Sequence, residues 1–184
     1  QDLTLSRGPS SDRVDLTVPG AGRFVVPKVS INLASGGGHI TGGGALLYLP
    51  DDEIRNTVTV NPEHPRPADP DAPLPEGLIR QISWTDAADF QFRTLKRRIT
   101  DAIQSADFQG GVIARDRASW LSGDRVAAEF VQLPAKKSSL HSLRVRGHAL
   151  GIGRSNRPDP DALQPAQDPF ITADELDVAF APST

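Results

Sequence analysis

The chain has no cysteine and no methionine in 184 residues, and it holds one tyrosine and two tryptophans. Without cysteine there is no disulfide, no thiolate nucleophile and no cysteine-ligated zinc or iron–sulfur centre. Aromatics make up 5% of the chain, too few for the stacking platforms that bind single-stranded nucleic acid. No apolar run reaches about 18 residues, so no transmembrane helix and no membrane insertion are expected. A net charge of −3 gives no global attraction to nucleic acid, which is left to local arginine patches. The first residues are polar and read as no signal peptide; a start at Gln1 is what a processed terminus or a cut from a longer chain would give.

What the chain has in plenty is proline and glycine, 16 of each. The length fits one domain with arms. Residues 1–12 read as an N-terminal arm, 13–154 as a β-rich domain and 155–184 as an extended C-terminal arm. A Pro-rich insertion covers 61–77, and Pro158, Pro160, Pro165 and Pro169 give 155–169 the same character. Such proline density excludes helix and interior strand.

Period-two alternation marks the strands. It runs through Val14, Leu16 and Val18, then through Val25, Val29, Ile31 and Leu33, with Pro27 as an edge or bulge. Residues 45–49 form a short apolar run, Ile54 to Val60 alternate, and Leu78, Ile82 and Trp84 resume the pattern. Ser122-Gly123-Asp124 reads as a hairpin turn between 117–121 and 125–133. Leu143, Val145 and Ala149 alternate with outward Arg144, Arg146 and His148, while His141 shares parity with the core positions. The tail through Leu176 and Val178 fits a short helix or a terminal strand equally.

One helix is expected at about 86–108. Thr85 stands as its cap, Asp86 and Asp89 favour its dipole, and Gly110-Gly111 stops it. Phe92, Leu95, Ile99 and Ile103 make one apolar stripe at helical spacing. The expected fold is therefore mainly β: an antiparallel β-sandwich of jelly-roll type, with one amphipathic α-helix and extended Pro-rich arms.

No motif carries chemistry. Gly36-Gly37-Gly38-His39-Ile40-Thr41-Gly42-Gly43-Gly44 misses both dinucleotide and P-loop spacings, so it reads as a flexible loop between strands. His39, His64, His141 and His148 lack helical zinc spacing, and the Asp-Pro-Asp stretches lack the remaining calcium-loop ligands. The nucleophile elbow is absent, although a Ser-His-Asp triad need not be close in sequence. No catalytic residue, metal or cofactor is assigned.

Two basic clusters stand out: Arg93 with Arg97 on the expected helix, and Arg144 with Arg146 and His148 on a strand. They are interface or anion-contact candidates, since arginine is the cation enriched at interfaces. The expected function is a structural subunit of a larger assembly, most concretely a virion coat, protrusion or decoration protein whose partners are other subunits. The alternative is an extracytoplasmic binding or accessory module of a cell envelope. An enzyme is not expected.

Overall fold

The computed structural model describes residues 2–6, 14–18, 22–48, 80–95, 98–116, 119–132, 138–153 and 170–179. They form β1 (Asp2–Ser6), β2 (Val14–Val18), β3 (Gly22–Val26), β4 (Lys28–Asn32), β5 (Gly37–Thr41) and β6 (Gly44–Tyr48). After them come β7 (Arg80–Trp84), β8 (Ala87–Leu95), β9 (Arg98–Asp116), β10 (Ser119–Gln132), β11 (Ser138–Gly153) and β12 (Phe170–Ala179). All strand pairs are antiparallel and belong to one sheet. Its main path is β1-β4-β5-β8-β9-β7-β6-β3-β2, with β10, β11 and β12 continuing from the other edge of β9. Among the described residues no helix is long and apolar enough to cross a membrane. The two Pro-rich stretches and the Ile54–Val60 pattern lie outside the described residues, whereas parts of both expected arms are strand: β1 pairs with β4, and β12 with β11.

The expected helix at about 86–108 is not there. Its residues are the hairpin of β8 and β9, in which Phe92 and Ile103 are cross-strand partners and Thr94 faces Ile99. The helical spacing of these residues is a by-product of two strands meeting. In β8 the true period is two: Ala88, Phe90 and Phe92 are buried, while Asp89 is exposed. The two cap signals belong together in another way. Thr85 N and Oγ1 both donate to Gly110 O, at 2.8 and 2.9 Å.

That contact is one point on a line crossing the sheet. Pro27 separates β3 from β4, Gly42-Gly43 separates β5 from β6, and Thr85-Asp86 separates β7 from β8. On the same line β9 carries Gly110-Gly111 with positive φ, and β10 slips register between Ser122 and Arg125. β11 carries Gly147 and His148 at φ 69° and 50°. The line is a crease in which one strand after another bends at matching register. At Ser122-Gly123-Asp124 β10 therefore runs on through a bulge where a hairpin turn was expected.

The crease divides two kinds of strand. On the β4-β5-β8 side, burial alternates. On the β3-β6-β7 side it does not: Phe24 to Val26, Ala45 to Leu47, Gln81 to Trp84 and Val112 to Arg115 are buried in succession. One apolar cluster joins both sides, and Phe24 of β3 stacks on Phe90 of β8 at a centroid distance of 5.6 Å. Trp84, 1% exposed, packs on Phe108 at 4.9 Å, and its indole N–H donates to Gly42 O at 3.2 Å. Full burial of such side chains contributes roughly 1.5–3 kcal/mol each.

Candidate functional site

The outward side chains of the alternating strands line up in cross-strand rows. Ladder register sets one row as Ser30, His39, Asp89, Asp107, Ala127, Arg144 and Asp177, one residue from each of seven strands. Beside it runs Gly37, Gln91, Ser105, Glu129, Ser142 and Ala179. On the other flank Gln109, Arg125, Arg146 and Glu175 follow one another. Strand parity sends every second residue outward, and most of those positions here are polar, with Gly37, Ala127 and Ala179 as the small exceptions.

Its charges are arranged in sequence. Asp89 and Asp107 stand directly opposite on β8 and β9, a like-charge pairing that is unfavourable alone. Each is held by a partner on its far side. His39 Nδ1 lies 2.7 Å from Asp89 Oδ1, and Arg125 Nε donates to both oxygens of Asp107 at 2.7 and 2.9 Å. The hydrogen bond and charge of Asp107 raise Arg125 above its ordinary pKa. Farther along, Arg144 Nε donates to Asp177 at 2.7 Å and lies 3.4 Å from Glu175, to which Arg146 donates at 3.2 Å. The bond to Asp177 likewise raises Arg144. His148, 92% exposed in its side chain, has its Nδ1 3.0 Å from Asp124 Oδ2, which raises its pKa above 6.5.

Between the rows lies a trough of about 620 Å³ across β4, β5, β8, β9 and β10. It is continued by a second hollow of about 300 Å³ toward β12, which shares Ala127 and Glu129 with it. Short side chains make the space: Gly37 has none, and Ser105 and Ala127 have little. Gln91 is fixed at the wall, because its Nε2 donates to Ser35 O at 2.7 Å and to Phe92 O at 3.0 Å.

The residues expected from sequence fall as follows. Arg144, Arg146 and His148 share the outward face and meet acidic residues. Arg93 is on β8, and its partly buried side chain has a buried Nε with no hydrogen-bond partner among the described residues. Arg97 lies outside the described residues, as does His64. The glycine-rich stretch, expected as a loop, is strand on both sides of the Gly42-Gly43 kink: Gly37, Gly38 and His39 belong to β5, and Gly44 opens β6. Gly36 precedes β5 and donates its N–H to Asn32 O at 2.8 Å. Gly38 lies flat under the Phe90 ring, where a Cβ would collide. His141, expected at the core or its rim, is exposed: Phe130 pairs with Leu140 and Glu129 with Ser142, so His141 is the extra residue of a bulge.

Ser30, His39 and Asp89 are the residue types of a hydrolytic triad, and the Asp–His contact is in place. The N–H groups of a strand lie in the plane of its ladder, so the main chain of the ladder aims no pair of N–H donors out of this face. Among the described residues no group of three acidic or histidine side chains can hold a metal ion. No family model, curated protein or solved structure matches the chain.

Proposed function

We propose that this chain is a structural subunit of a symmetric assembly and works through its surfaces, with no catalytic role. The observation that carries the reading is β12. It is a ten-residue strand that, among the described residues, pairs with β11 alone. None of its described side chains is fully buried, and Ile171 is 58% exposed. A long open edge is a template for another strand, and lone proteins keep such edges short or covered. The most concrete version is a virion coat, protrusion or decoration protein, located in the virion or outside the cytoplasm, whose partners are other copies or other subunits. On the same reading the creased sheet closes as a β-sandwich of jelly-roll type, supported by the Phe24–Phe90 contact.

The test combines light scattering with amide hydrogen exchange on the purified chain. The reading expects a discrete mass above the 19.7 kDa of one chain, with the outward amides of β12 protected. A monomer at every concentration, with those amides exchanging freely, would overturn self-assembly and favour a stand-alone extracytoplasmic module.

A further inference from the structure

We propose that the trough on the outer face is a docking site for an extended cationic peptide segment. The inference goes beyond the assembly reading and is independent of it, because it rests on the outward side chains of β4 to β12 and makes no use of the open backbone edge of β12.

The shape calls for something long and thin. From β4 to β12 the two hollows cross seven strands. Six inter-strand spacings of about 4.8 Å make a path of roughly 29 Å, the length of about nine extended residues. Gly37, Ser105 and Ala127 keep the bottom low enough for a backbone to lie across it.

The chemistry calls for donors and positive charge. Ladder N–H groups lie in the plane of the sheet, so the polar groups the trough offers are side chains, the Asp89, Asp107 and Glu129 carboxylates and the Gln91 amide among them, set in a largely apolar lining. Because both bonds of Gln91 Nε2 go to main-chain carbonyls, its Oε1 is left over Gly37, about 3.6 Å from where a Cβ would stand there. Asp89 keeps its second oxygen. Among the described residues Glu129 has one hydrogen bond, accepted from the Ser142 hydroxyl at 3.3 Å. Asp89, Asp107 and Glu129 all line the trough, while the arginines beside it are already engaged, Arg125 with Asp107 and Arg144 with Asp177 and Glu175. The lining itself holds three carboxylates and no lysine or arginine, and of the three Glu129 has only the charge of Arg144 nearby. Lysine or arginine side chains on an extended backbone supply its complement. A glycan fits less well, since among the described lining residues Phe90 is the one Phe, Tyr or Trp, and at 4% exposed it offers no stacking face.

The experiment is fluorescence polarisation of the whole chain with a labelled nonapeptide of alternating lysine and serine. A glutamate–serine peptide and a neutral oligosaccharide serve as competitors. Amide chemical shifts of the unmutated chain report where the peptide lies. The proposal expects binding that weakens between about 0.05 and 0.5 M salt, as the screening length falls. Shifts should centre on Gly37, Ser105 and Ala127. Glu129→Gln should weaken binding by about 2- to 5-fold, the range of an exposed ion pair. Ala127→Arg, which fills the trough and reverses its charge, should weaken it further. Asp174→Asn removes a charge from β12 outside the trough and should change nothing. Absence of binding, equal binding of the acidic peptide, preference for the oligosaccharide, or shifts confined to other faces would each overturn the proposal.

Discussion

At the scale of single residues, the same small device occurs twice along the crease. Gly110 takes φ 80° with the Asp86 carboxylate in the space a Cβ would fill, and Gly147 takes φ 69° with Asp124 in that space. A side chain at either position would meet both backbone strain and a collision. Gly110→Ala should therefore cost about 1–3 kcal/mol, read by urea denaturation; a loss under half of that would mean the corner relaxes freely. His148 offers a second check. Asp124 raises its pKa, so the contact contributes fully below the unfolded value of 6.5 and fades as pH rises through the raised folded value. An NMR titration of His148 should show the raised value and, in Asp124→Asn, a return toward 6.5. Gly110 was visible in the sequence as a stop and Asp124 as part of a turn, whereas Asp86 was read as the first turn of a helix. The pairing of Asp86 with Gly110 was not visible, because Asp86 lies in the break between β7 and β8 and Gly110 on β9, 24 residues on.

At the scale of elements, β2 and β4 were legible because their apolar positions alternate around clear breaks, β6 because residues 45–49 form a short apolar run, and β7 through Ile82 and Trp84. The pair β8–β9 was misread. Phe92, Leu95, Ile99 and Ile103 satisfy a helical period, and only Ala88, Phe90 and Phe92 argued against it. Tertiary pairing decided: Phe92 and Ile103 bury better across a ladder than on a stripe with no face to cover. The difference can be checked directly, because the chain has no cysteine to confuse the result. Gln91 and Ser105 are cross-strand partners. Gln91→Cys with Ser105→Cys should crosslink under mild oxidation, since paired strand Cα atoms sit about 4.5–5.5 Å apart. In a helix the same positions would be roughly 20 Å apart at 1.5 Å per residue and would stay reduced. The trough was illegible for a related reason: its rows take one residue from each of several strands, and no local pattern announces that His39, Asp89 and Asp107 will be neighbours.

At the scale of the whole molecule, the two sides of the crease share one core, so they should unfold together. Phe24 and Phe90 lie on opposite sides and stack. A double-mutant cycle with Phe24→Leu and Phe90→Leu should return a coupling of about 0.5–1.5 kcal/mol within a single denaturation transition. Zero coupling, or two transitions, would mean that the halves stand apart. The crease also has a consequence for folding. A strand that slips by two residues keeps its apolar side chains on the inner face, so hydrophobic burial alone does not forbid the error. Here a two-residue slip between β8 and β9 would carry Gly110 away from Asp86 and bring a side chain to the corner. The bends act as index marks, aligned from strand to strand, and they give the sheet one zero point where alternation alone would allow many.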